Sequence, residues 1–295
     1  MRHHLKKLWR VMPVLFRENA LSWGCSLLLG KPRPAPQPSA VPTFVLGFFS
    51  QASGLGESAR LSYAEHKREG GQLFPVDITP CFAESDVHFD DPACLSVQDV
   101  KLRQGPARLV LYINPPRFLL LLALLGRSFL RDKTIVGAWA WELEDLPRSW
   151  IVSLGYCHEV VVPSTFVGDA IRRHSAIPVH VEAPPVPAAL QRSRQFAEDG
   201  ITRVLFMFDM GSLASRKNPE AAIEAFRMAF GDRQDVQFTL KVTKPVEDRR
   251  SWDRLCLHVR PLSNVIVLGD TLSRSEMSRL YNTHDIYLSL HRAEG

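Results

Sequence analysis

Five groups of residues in this chain have types and spacings that can do chemistry. Gly54-Leu-Gly56-Glu-Ser-Ala59 follows an apolar run and opens a helical pattern. Glycines there free backbone amides at a helix N-terminus, where unpaired N–H groups and the helix dipole both favour an anion. Arg216 and Lys217, just before Asn218-Pro219, make an anion site of another kind. A guanidinium clamps two phosphate oxygens, and an ammonium adds a mobile point charge. Lys241 and Lys244 end the next apolar run, on what strand polarity makes the same rim. Four such cations facing one cleft suit a diphosphate, although any one alone is more often a solvated surface charge. Trp139-Ala-Trp141-Glu142 closes another run. Alternation puts both tryptophans on one side, and an aromatic face beside a carboxylate suits a sugar ring. Core packing by the tryptophans is the alternative. His291 and Glu294 follow the last run, where a carboxylate can accept hydrogen bonds from hydroxyls.

Those groups need elements to hold them. Apolar runs at 43–49, 73–77, 108–114, 134–139, 159–163 and 179–182 read as strands, with helices at 57–68, 116–130, 147–154 and 164–174. A second series has strands at 202–208, 236–242, 264–268 and 286–290, with helices at 219–230, 252–259 and 274–281. Local chemistry marks some ends. Asn218 precedes proline at a first helical position, and Ser273 with Glu276 makes a capping box. Strand–helix alternation in both halves predicts an α/β protein with two doubly wound parallel sheets. Ligands then sit at the carboxyl ends of the strands, and the cleft between the halves is the natural place. Three domains of organisation follow: a basic arm and proline-rich linker over 1–42, an acceptor-side domain over 43–190, and a partial second domain over 191–295. The apolar residues 118–125 are too few for a membrane span, which needs about 20, so they predict a buried core helix.

Composition sets limits. The 295 residues carry a net charge of +5. Residues 1–33 alone hold seven basic side chains and one acid, Glu18, so the body is nearly neutral. A basic arm on a neutral body argues against a nucleic-acid-binding surface. Leu5, Trp9, Met12 and Phe16 recur at helical spacing among the arm's cations, a pattern suited to peripheral contact with an anionic membrane. Pro13 interrupts it. A cleaved signal and a disordered or docked extension are the rival readings of the arm. The five cysteines are scattered and lack metal or redox spacing, which predicts small buried hydrophobes in a reduced, cytoplasmic setting.

Five segments, in their order and spacing, resemble a retaining glycosyltransferase of family four with the GT-B fold. The resemblance covers about residues 43–295. It rests on Ser53-Gly-Leu-Gly-Glu-Ser58, Gly137-Ala-Trp-Ala-Trp-Glu-Leu143, Val161-Val-Pro-Ser164, Ser215-Arg-Lys-Asn-Pro219 and Ser289-Leu-His-Arg-Ala-Glu-Gly295. It implies transfer of a sugar from a nucleotide-sugar to a glycan or lipid-linked acceptor, in cell-surface polysaccharide synthesis, with no metal and no cofactor. Arg216, Lys217 and Lys241 would hold the donor diphosphate, and Gly54 and Gly56 would approach the same phosphates. His291 and Glu294 would meet the donor sugar, with Glu142, Trp139 and Trp141 lining the reacting region. No side-chain nucleophile is implied, because the donor phosphate itself takes the acceptor proton. The family's second glutamate falls past Gly295, so the expectation is a C-terminally truncated chain with little or no turnover. Two other readings stay open. Gly54-x-Gly56-x-x-Ala59, with Asp77 as ribose ligand, fits the dinucleotide fingerprint of an NAD(P)-dependent oxidoreductase, and an inactive binding or scaffold protein is the third.

Overall fold

A computed structural model describes residues 13–30, 41–185, 195–212 and 214–294. Residues 1–12, the proline-rich 31–40 and 186–194 lie outside the described residues. Leu5, Trp9 and Met12 of the expected membrane stripe go with them. The chain divides into two compact units between residues 186 and 187.

The first unit holds one seven-stranded sheet, ordered β3-β2-β1-β4-β5-β6-β7. Its strands are β1 (Thr43–Gly47), β2 (Leu73–Asp77), β3 (Leu95–Ser96), β4 (Ala107–Leu111), β5 (Lys133–Ala138), β6 (Glu159–Val162) and β7 (Val179–Val181). Every pairing is parallel. Parallel strands are covered on both faces, hence the near-continuous apolar runs. The helix Arg117–Leu125 buries Phe118, Leu119, Leu121, Leu122 and Leu125, so the leucine-rich run is core. Among the described residues no helix is long and apolar enough to cross a membrane.

The second unit holds a four-stranded parallel sheet ordered β10-β9-β8-β11. The strands are β8 (Thr202–Asp209), β9 (Val236–Thr243), β10 (Val265–Leu268) and β11 (Ile286–Tyr287). Phe206, Phe238 and Phe226 stack at its centre, with Phe226 and Phe238 ring centroids 5.0 Å apart. The capping box forms: Ser273 Oγ accepts from the Glu276 amide and Glu276 accepts from the Ser273 amide.

Three features were not read from the sequence. The first is a helix, Val14–Leu29, docked on the first unit by Cys25 and Leu29. The second is the short edge strand β3, followed by the helix Val97–Lys101 with its own capping box at Ser96. The third is the short helix Ala214–Lys217, which carries two of the candidate cations.

Candidate functional site

Strand order places the candidates. In each sheet it reverses once, between β1 and β4 and between β8 and β11. At such a switch the two connections leave for opposite faces and open a crevice beyond the carboxyl ends of the strands. The Gly54 loop follows β1, and the Arg216–Lys217 segment and His291–Glu294 follow β8 and β11.

The second crevice is built by ties between two segments more than seventy residues apart. The Arg292 amide donates to the Arg216 carbonyl at 2.8 Å, and Arg292 Nη1 donates to the Ser215 carbonyl at 3.0 Å. Arg216 Nη1 donates to the Ala293 carbonyl at 2.8 Å. Asn218 was expected to cap the helix Pro219–Phe230 with its side chain. It takes the left-handed conformation instead, at φ 56°, and makes no cap bond. Its Nδ2 crosses to the Leu290 carbonyl at 3.1 Å, so the residue braces the crevice rather than the helix.

These ties bring three donors onto one oxygen. Glu294 Oε1 accepts from Lys217 Nζ at 2.6 Å and from His291 Nδ1 at 2.7 Å, with Arg216 Nη1 at 3.4 Å. The side chains of Arg216, Lys217 and His291 are 16%, 12% and 7% exposed, while Glu294 is 48% exposed. An oxyanion thus sits at the open side of a largely buried donor cluster. Burial holds His291 below the ordinary histidine range, against the pull of Glu294, with Lys217 and Arg216 adding repulsion. Its Nδ1–H goes to Glu294, which leaves Nε2 as an acceptor with no partner among the described residues, packed edge-on to Phe206. These four residues can hold an anion and present a carboxylate to hydroxyls.

Lys241 does not join them as expected. It lies mid-sheet in β9, between Met207 and Leu268, at 2% exposure. Its Nζ donates to the Val242 carbonyl at 3.1 Å. Burial lowers its pKa, and Asp270 and Asp209 oppose that. It balances charge inside the unit rather than facing solvent at the rim. Lys244 ends the strand in a left-handed turn, at φ 53°.

In the first unit, Gly54 and Gly56 open the helix Gly54–Glu69 behind the cap Ser53, whose Oγ accepts the Gly56 amide at 3.2 Å. A Cβ on Gly56 would stand 2.6 Å from the carbonyl oxygens of both Phe48 and Gln51. Arg60, missed by the sequence reading, fixes this loop by donating from Nη1 to the carbonyls of Phe48, Phe49 and Gln51. The first amides of the helix, at Gly54 and Leu55, have no intrahelical acceptor. Asp77 ends β2 with Oδ1 accepting from both the amide and the hydroxyl of Thr79, at 2.9 and 2.6 Å. The ribose role of the dinucleotide reading would compete with that turn.

The tryptophan pair divides. Trp139 was expected on the acceptor side, but it is 1% exposed and packs edge-to-face on Phe118 and Trp150. The large apolar ring is worth more in the core than over a ligand. Trp141 is half-buried against Trp150, with centroids 4.7 Å apart, and its indole N–H donates to the Asp145 carbonyl at 3.0 Å. Glu142 is half-buried in the loop after β5. Asn114, after β4, holds that loop with both ends of its amide, donating to the Ala140 carbonyl at 2.7 Å and accepting its N–H at 3.1 Å.

No family model and no curated protein sequence matches the chain. Solved structures match it in fold. A glycosyltransferase from Rickettsia africae aligns with a TM-score of 0.54 at 12% identity, over 86% of this chain and 74% of its own. The pneumococcal O-GlcNAc transferase GtfA, solved with UDP and GlcNAc, aligns with a TM-score of 0.59 at 7% identity, over 87% and 80%. Anabaena HepE, solved with UDP and glucose, gives 0.55 at 12% identity, over 85% and 74%. Identities this low show the fold alone, which is the α/β, GT-B-like architecture of two Rossmann-like domains.

Proposed function

We propose that this chain is a glycosyltransferase of the retaining, family-four kind, taking a nucleotide-sugar donor and a glycan or lipid-linked acceptor. One observation carries the reading. Arg216, Lys217 and His291 converge on a single carboxylate oxygen at the switch point of the second sheet. Donors arranged around one oxyanion are arranged to receive another, and a diphosphate leaving group is the oxyanion this chemistry needs. The fold likeness to glycosyltransferases supports it, and two of those were solved with UDP.

In this reading Arg216 and Lys217 bind the diphosphate and stabilise its charge as the glycosidic bond to it breaks. Glu294 accepts sugar hydroxyls once the phosphates share its cations. In the first unit the Gly54 loop offers amides to an anion, and Glu142 with Trp141 lines the acceptor side. The leaving phosphate takes the acceptor proton, so the chain acts by orientation and charge rather than as a nucleophile, without a metal. A cytoplasmic setting and cell-surface polysaccharide synthesis complete the proposal.

The test is thermal stability with UDP, GDP, ADP and NADH. A ligand binding only the folded state adds about 2.7 kcal/mol at one hundred times its dissociation constant. One nucleoside diphosphate is expected to raise the melting temperature. Arg216→Ala and Lys217→Ala should each weaken it by about tenfold or more, since a charged hydrogen bond contributes ~1.5–3 kcal/mol. A shift with NADH instead, or nucleotide binding that ignores both substitutions, overturns the proposal.

A further inference from the structure

Two arginines of the first unit stand at a cavity that the nucleotide reading does not use. Arg127 opens the short helix Arg127–Leu130, and Arg131 follows it in the right-handed helical conformation. A spacing of four on a helix puts both on one face. Both are exposed, and neither makes an ion pair among the described residues. The cavity has a volume of about 370 Å³ and is lined in part by Leu29, Leu122, Arg127, Arg131, Ile135 and His158. Small-molecule pockets begin at about 300 Å³, so this one has room for a single compact ligand.

The lining has two parts. Leu29, Leu122 and Ile135 are 6%, 1% and 3% exposed, so apolar side chains form the inner wall and the exposed guanidiniums the mouth. Hydrogen bonds fix the polar residues among them. His158 Nδ1 accepts the Ile135 amide at 2.9 Å, and the Tyr156 hydroxyl donates to the Ser26 carbonyl at 3.4 Å. His158 immediately precedes β6 and bonds to the first half of β5. The cavity therefore lies at the amino ends of these strands, on the edge of the sheet opposite the Gly54 loop. A purely structural use accounts for one arginine only. The Arg127 guanidinium reaches Gly30, with Cζ 3.2 Å from where a Cβ would stand, and a cation suits the C-terminal end of the helix Val14–Leu29. Arg131 has no such contact among the described residues.

We propose that this cavity binds a small organic phosphate monoester. The phosphate sits at the mouth and accepts from Arg127 and Arg131, whose planar forks match its oxygens. The apolar body of the ligand lies inward, against Leu29, Leu122 and Ile135. Two cations suit a phosphate monoester, which carries nearly two negative charges at neutral pH, better than a carboxylate with one. The site belongs to the first unit alone and is independent of the proposed nucleotide site.

The experiment is isothermal titration calorimetry of the full chain with phenyl phosphate, inorganic phosphate, benzoate and phenol. Phenyl phosphate is expected to bind most tightly. Inorganic phosphate lacks the ring and phenol lacks the charge, so each should bind about tenfold more weakly or worse. Arg127→Gln and Arg131→Gln should each weaken phenyl phosphate by about tenfold. Arg131→Gln should do so at an unchanged melting temperature, because the residue is exposed and holds nothing in place. Lys217→Ala, in the second unit, should leave this binding as it is. The proposal is overturned if phenyl phosphate does not bind, or if inorganic phosphate, benzoate or phenol binds as well as it does. Binding that survives both arginine substitutions, or that Lys217→Ala removes instead, also overturns it. So does an Arg127→Gln protein that melts lower yet binds like the parent, because the arginine would then be a helix cap alone.

Discussion

The two glycines that open the first-unit loop should respond oppositely to a methyl group. At Gly56 the new carbon would stand 2.6 Å from two carbonyl oxygens, where ordinary close C···O contacts begin at about 3.3 Å. Both oxygens belong to backbone, and both already accept from Arg60, so neither can turn aside without breaking that brace. Overpacking of this kind costs about 1–3 kcal/mol. Gly54 has no heavy atom within 4 Å of such a carbon, and alanine in a helix is favoured over glycine by about 0.5–1 kcal/mol. The two variants should therefore differ by roughly 2–4 kcal/mol. At about 2–4 °C per kcal/mol for a unit of this size, Gly56→Ala should melt roughly 4–16 °C below Gly54→Ala. Differential scanning calorimetry of the full chain reads this, with the change confined to the first unit's transition. Variants that melt together, or a Gly56→Ala protein that matches the parent, would refute the argument that close backbone approach demands glycine here.

Three further outcomes follow from the same structure. Trp150 is 3% exposed and touches both Trp139 and Trp141, so Trp150→Ala should cost about 3–5 kcal/mol in urea unfolding; a smaller loss than Trp141→Ala would contradict its central place. Burial holds His291 below the ordinary value of about 6.5, so the unfolded chain binds that proton more tightly. Its contribution to stability is complete above about pH 6.5 and is lost as pH falls from there through the folded value. Stability measured between pH 7 and 5 should fall less steeply in His291→Gln. Burial, with Asp77 beside it, pushes the Cys94 thiol up to about 11, and burial pushes Cys157 higher still. A thiol reagent at pH 8 should modify the exposed Cys81 first and reach Cys94 and Cys157 only on unfolding; early labelling of Cys157 would contradict the packing.

Most strands were legible along the chain because parallel strands buried on both faces must read as apolar runs, and these do at 43–49, 108–114 and 202–208. Periodicity failed where it carried no contrast. The helix Val14–Leu29 has apolar residues on both its buried and its exposed sides, so no stripe marks it, and basic neighbours made an arm the natural reading. Alternation was expected to put Trp139 and Trp141 on one side, but β5 ends at Ala138, before either tryptophan, and Trp139 is buried while Trp141 is half-buried. Lys241 misled for a related reason. A lysine near a strand's end reads as a rim charge, but β9 runs on to Thr243 and leaves it mid-sheet, with Asp209 and Asp270 as counter-charges from outside its strand.

The residue types of the candidate site were legible, but their arrangement was not. Arg216–Lys217 and His291–Glu294 are separate in sequence, and only the pairing of β11 with β8 sets them side by side. Asp285 helps to set that pairing, since its carboxylate accepts the amides of Arg203 at 2.7 Å and Ala197 at 3.0 Å. Asn218 and Arg292 then lock the two connections to each other. In the sequence, Asn218 before proline looked like a cap, because a cap is the local use for that residue. The crevice supplied the Leu290 carbonyl as a better acceptor, and the left-handed backbone at Asn218 is the conformation that reaches it. Local rules therefore fail together at one place, the switch point of the second sheet. A lost cap, a left-handed asparagine and a buried histidine with an unsatisfied nitrogen all meet there. Strain and unmet hydrogen bonds persist where something other than stability maintains them. Their coincidence with two largely buried cations, more than any single motif, is what supports the proposal of an anion site in this crevice.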